Sequence, residues 1–187
     1  MERPLDDDAW RRFDALQRGR PGGFEVIALM RPPDAAFGED EVRWLERARA
    51  AADRAPFGLH THWTSPTHAR PTGGDPAVRV RSEVAWLREH DLEPAYFCGG
   101  NWYTDPEVEA AVRDLGLVDC TARTGLPTES TLPTTHSLGA LVPAVLGRLP
   151  GYVHAYFHDY DLVDPRRRVA LLAALGLLGA RRRPFHR

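Results

Sequence analysis

Short apolar runs alternate with amphipathic stretches along almost the whole chain, and that alternation leaves few folds open. Phe24 to Met30 reads as a strand buried on both faces, as do Phe57-Gly58-Leu59, Pro94 to Cys98, Leu117 to Thr121 and Tyr152 to Phe157. Helical stretches stand between them. Glu39 to Asp53 places Val42, Leu45, Ala48 and Ala52 along one side, and Pro76 to His90 turns Val80, Val84 and Leu87 inward. Asp105-Pro106-Glu107 opens a helix that stops at Leu115-Gly116. A first helix from Ala9 to Gln17, capped by Asp8, precedes the series, and helices over Ser137 to Leu149 (broken at Pro143) and Pro165 to Leu178 close it. Strand and helix in strict turn predict an α/β fold, with a parallel sheet or barrel joined by right-handed crossovers. The chemistry of such folds lies at the carboxyl ends of the strands. His60 and His62, Gly99 to Tyr103, and His158-Asp159 all follow candidate strands.

Composition narrows the function classes. A length of 187 residues predicts one domain, and a net charge of −2 gives no global field for nucleic acid or a membrane surface. All 24 basic residues are Arg, so a lysine nucleophile or Schiff base is excluded. Cys98 and Cys120 are too few for a disulfide framework. The opening segment lacks the apolar stretch of a signal peptide. The longest apolar run, Val169 to Leu178, is about half of a membrane span, so the expected location is the cytoplasm. Arg181-Arg182-Arg183 reads as a basic tail. Nothing in the sequence sets an oligomeric state.

Four segments carry groups that can do chemistry. His60-Thr61-His62 puts two imidazoles on one side of an extended chain, because side chains alternate with period two. Such a pair suits Zn, Ni, Co or Fe, and His68, six residues on, is a candidate third ligand. The competing reading is a histidine that only bonds the backbone. His158-Asp159-Tyr160-Asp161 offers a general acid beside carboxylates, although either Asp could instead cap the next helix. In Gly99-Gly100-Asn101-Trp102-Tyr103 the glycines allow close approach to a ligand and Trp102 offers a stacking face. His136 could line a pocket, and Ser137 is either a helix cap or part of a Ser/His/Asp triad. No Gly-x-Ser-x-Gly elbow accompanies it.

Taken in order, these segments resemble the polysaccharide deacetylases of carbohydrate esterase family 4. Gly58-Leu59-His60-Thr61 is similar to the start of the family's His-Ser/Thr-x-x-His motif, and Tyr156-Phe157-His158-Asp159 to its late His-Asp segment. Gly99 to Tyr103, with Asp105-Pro106-Glu107-Val108 and Leu115-Gly116-Leu117, resembles the middle motif and the step after it. The resemblance spans about Phe24 to Leu178 and implies a distorted (β/α) barrel. It implies a divalent metal, zinc with cobalt or nickel as alternatives, held by Asp7, His60 and His62 or His68. Asp6 would be the base and His158 the acid. Trp63, Gly100, Trp102, Tyr103 and His136 would form the substrate site. The implied activity is removal of acetyl groups from an N-acetylated carbohydrate or small amide. The implied alternative is a degenerate domain that binds metal or sugar without turnover. The chain departs from the pattern in two places. Thr64 stands where the second motif histidine falls, and little chain precedes Asp6-Asp7-Asp8, implying either a chain truncated at its start or a barrel lacking its first strand.

Overall fold

The computed structural model describes residues 1–181. Among the described residues there are six strands: β1 Ala28–Met30, β2 Phe57–Thr61, β3 Tyr96–Gly99, β4 Val118–Asp119, β5 His136–Ser137 and β6 Ala155–Tyr156. The first four form one parallel sheet in chain order, and β5 pairs with β6, also in parallel. The α-helices of the described residues stand around them: α1 Asp7–Gly19, α2 Glu41–Ala52, α3 Pro76–Glu89, α4 Pro106–Asp114, α5 Leu138–Leu146, α6 Asp159–Val163 and α7 Pro165–Arg181. The mixed α/β architecture with parallel strands is therefore as the alternation predicts.

The sheet register places the chemistry. His60 pairs with Cys98 and Thr61 with Gly99, so the carboxyl ends of β2 and β3 lie side by side. Phe57, Leu59 and Thr61 face the core while His60 faces the other way. Gly58 permits this tight stacking, since a Cβ there would stand 2.3 Å from Leu29 Cδ2 and 2.9 Å from the Tyr96 carbonyl. Trp44 of α2 is wholly buried and its indole N–H donates to the Arg31 carbonyl at 2.7 Å, fastening α2 to the end of β1.

Several elements differ from expectation. Four of the five predicted strands are shorter than their apolar runs, whereas β2 runs on past Leu59 to Thr61. The run from Phe24 becomes β1 only at Ala28, because Pro21–Gly23 forms a separate 3₁₀ turn against which α7 packs. Asp6, not Asp8, caps α1 and accepts from the N–H groups of Asp8 and Ala9. Pro143 does not break α5. Its ring leaves the Gly139 carbonyl without a helical donor, and exposed Gly139 can give that carbonyl to water. The short helix α6 was not foreseen. It opens where the His158 N–H donates to Asp161 Oδ2 at 2.8 Å. Of the expected basic tail, only Arg181 lies within the described residues, where it donates to the carbonyls of Val145 and Gly147. Among the described residues, no helix is long and apolar enough to cross a membrane.

Candidate metal centre

His60 is the penultimate residue of β2 and His62 follows the strand, on the same side of the extended chain as the period of two requires. Their rings stand 5.0 Å apart. Each ring is fixed at Nδ1 by backbone. His60 Nδ1–H donates to the Cys98 carbonyl at 2.9 Å, across the β2–β3 pairing. His62 Nδ1–H donates to the Pro66 carbonyl at 2.9 Å. A carbonyl only accepts, so both Nδ1 atoms carry hydrogen and both Nε2 atoms are the ligating ends.

Both Nε2 atoms face one carboxylate, that of Glu2. His60 Nε2 lies 3.2 Å from Glu2 Oε1 and His62 Nε2 lies 2.8 Å from Glu2 Oε2. The His62 nitrogen is buried and has no well-aligned hydrogen-bond partner among the described residues. Two lone pairs against an anion in a buried place call for a cation between them. Protons are one candidate, but burial holds the His60 imidazole below its ordinary pKa, despite the pull of Glu2. Burial alone would push the Glu2 carboxyl up. The two imidazoles that face the carboxylate outweigh burial and hold Glu2 well below the usual carboxylate range.

Glu2, His60 and His62 could therefore hold a metal ion. Their ligand atoms lie within 4.8 Å of one another. The donor set fits: one carboxylate and two neutral imidazoles are a common zinc-site composition that leaves a position open. Bonds of about 2.0–2.1 Å in tetrahedral array separate ligand atoms by roughly 3.3 Å, close to the 3.2 Å between His60 and Glu2 and somewhat more than the 2.8 Å between His62 and Glu2.

The expected acidic partners are elsewhere. Asp6 is spent on capping α1. Asp7 is exposed and paired with Arg43 and Arg47, whose hydrogen bonds hold its carboxyl below the ordinary range. Glu2 reaches the histidines instead, because its segment is tied down on both sides. The Arg3 N–H donates to Asp159 Oδ2 at 2.5 Å, and Arg47 donates to the Pro4 carbonyl at 2.7 Å. A single Glu before a run of three Asp gave no sequence signal of its own. His68 does not join the ligands. It is exposed, and its backbone closes the 64–68 turn by bonding Thr64 and Ser65. That turn presents the Pro66 carbonyl to His62, so His68 shapes the site without touching it.

A cavity of about 520 Å³ opens beside the histidines. Glu2, His60, Trp102, Tyr156, His158 and Asp159 share its wall. His158 follows β6, and its Nδ1 lies 2.8 Å from the Tyr160 hydroxyl. Burial lowers its pKa, so the ring is neutral near pH 7. Asp159 is buried and adds a carboxylate to the same wall. Trp102 is reached through two successive residues in the left-handed region, Asn101 at φ 52° and Trp102 at φ 59°. Its ring lies against Tyr156, and the Arg123 guanidinium stacks over it at 4.1 Å. The chain matches no protein-family model, no curated protein and no solved structure. What the site can do is thus decided by its own geometry.

The remaining expected substrate residues are not on the cavity wall. Trp63 is a core residue: its ring packs on Phe97 and Tyr103 and its indole N–H donates to the Gly100 carbonyl. Gly100 is needed for packing, since a Cβ there would stand 2.6 Å from the Thr61 carbonyl. Tyr103 donates its hydroxyl to Asp105 at 2.6 Å. His136 Nδ1 bonds the Thr135 hydroxyl at 2.7 Å, and Ser137 caps α5. Sequence reading gave no cavity role to His154, which lines the wall as the residue before β6.

Proposed function

We propose that the chain is a metal-dependent amide hydrolase acting on an N-acylated carbohydrate, with N-acetyl the simplest such group, in a distorted barrel of the deacetylase kind. One observation carries this reading: a carboxylate and a histidine of the ligand group share one cavity wall with His158, Asp159 and Trp102. Zinc fits the donors best, with cobalt or nickel next. A bound divalent ion would polarise the scissile carbonyl and acidify the attacking water.

The chain's own groups supply the rest. Asp159 replaces Asp6 as the carboxylate at hand to receive the water's proton. His158 rests neutral and is anchored at Nδ1, which leaves Nε2 as the free ring nitrogen to take on the proton that Asp159 received from the water and pass it to the departing amine. The water oxygen bonds to the carbonyl carbon, the C–N bond breaks, and a carboxylate and a protonated amine leave. Trp102 and Tyr156 give the sugar an aromatic face.

The reading is tested on protein purified without chelator. His60→Ala should abolish stoichiometric metal by elemental analysis, and unchanged content would sink the ligand assignment. His158→Ala should keep its metal and lose about 10²–10⁴-fold in acetate release from a chito-oligosaccharide. One observation favours a second reading, a non-catalytic metal- or sugar-binding domain. Both expected acids, Asp6 and Asp7, are committed elsewhere, and Asp159, left with the base role, itself accepts the N–H groups of Arg3 and Tyr160. Metal and sugar binding without turnover in the wild type would decide for that alternative.

A further inference from the structure

We infer that the acyl group this site accepts is longer than acetyl: a medium-length alkyl chain that lies in the deep end of the cavity. The inference rests on the hydrolase reading above for its reaction and on the cavity for its specificity. Besides Glu2, His60 and His158, the wall includes an apolar group, Phe13 of α1, Val26 and Leu29 at β1, and Leu171, Leu175 and Leu178 of α7, together with polar Thr134 and His154. Four of the six apolar residues are less than 9% exposed and a fifth is at 9%, so this is interior space. Protein interiors rarely leave voids larger than a water molecule, and a volume of about 520 Å³ falls within the range of ligand pockets.

Chemistry selects the occupant. Sugar hydroxyls placed among these apolar side chains would lose water and gain no partner. Methylenes would gain, at about fourfold in binding for each one fully buried. The direction of the substrate follows from the rim. Tyr156 stands between Trp102 and His158, with ring centroids 4.9 Å and 5.5 Å away, so the leaving amine and its sugar belong on that side. The acyl side then points inward, between α1, β1 and α7. Hydrolysis consumes one water, breaks the C–N bond, and leaves the alkyl carboxylate in the deep end while the amino sugar departs at the rim.

The experiment uses the full chain loaded with zinc. Calorimetry compares octanoate with acetate, and turnover is compared on N-octanoyl- and N-acetylglucosamine. Octanoate should bind at least 10-fold tighter, and the octanoyl amide should be cleaved with at least 10-fold higher kcat/KM. Leu175→Trp should fill the deep end, weaken octanoate at least 10-fold and leave metal content unchanged. Equal binding of the two carboxylates by the wild-type chain would overturn the inference, even with amide hydrolysis intact, and this comparison needs no variant to fold. Tight octanoate binding with no cleavage of either amide would support the alkyl site and overturn the hydrolase reading instead.

Discussion

Glu2 shows how one residue can decide a site. It has no motif around it, yet it carries the only carboxylate in the three-residue ligand group found among the described residues. Glu2→Ala should therefore lose stoichiometric metal, whereas Asp7→Ala should keep it; elemental analysis of the two variants side by side checks the assignment. A second carboxylate, Glu39, has a structural task. It forms a paired hydrogen bond with Arg31, which is almost wholly buried, and accepts the Asp34 N–H at 2.8 Å. Burial opposes its charge, but Arg31 and that N–H prevail and hold its carboxyl below the usual range. A depressed carboxylate pKa gives stability that is present above the unfolded value, about 4.3, and lost as pH falls through the folded one. Glu39→Gln strands a buried guanidinium, so it should cost about 3–5 kcal/mol at pH 7. Thermal unfolding should show the gap between wild type and variant closing in acid, and a gap that stays constant down to low pH would refute the pairing.

The elements divide into those that sequence announces and those it does not. The helix α3 is legible because Asp75, Pro76 and the Val80-Val84-Leu87 stripe all agree, and its bounds match expectation within a residue. Apart from β5, which no apolar run marks, the strands are legible in place but not in length, because apolar runs say which segments are buried and not where pairing ends. The histidine pair is legible because its period of two is a local property. Glu2 is not, since its approach to His60 spans 58 positions and depends on Arg3, Pro4, Arg47 and Asp159. Trp63 misled for a related reason: an aromatic beside a histidine motif reads as a ligand platform, while the fold turns it into the core. At this scale the critical residue is Gly58. With Leu29 and Tyr96 closing on it, Gly58→Ala should cost about 1–3 kcal/mol by overpacking β2 between β1 and β3. Urea unfolding measures this, and a neutral result would mean that the strands separate more easily than the register implies.

For the molecule as a whole, metal binding and folding are linked. An ion that binds only the folded chain stabilises it by about 2.7 kcal/mol at 100 times its Kd. For a chain of this size that amounts to roughly 5–10 °C in Tm. Zinc should raise Tm by this amount in the wild type and not in His60→Ala, and a chelator should reverse the gain. The tie between Arg3 and Asp159, which holds Glu2 in place, joins residues 156 positions apart. Contacts so distant in sequence close late, because the loop between them must be ordered first. The ligand group is thus a latch set by a segment far along the chain. In refolding, helix signals should return before zinc is captured, and a nascent chain should remain unable to take up metal until α6 has been made.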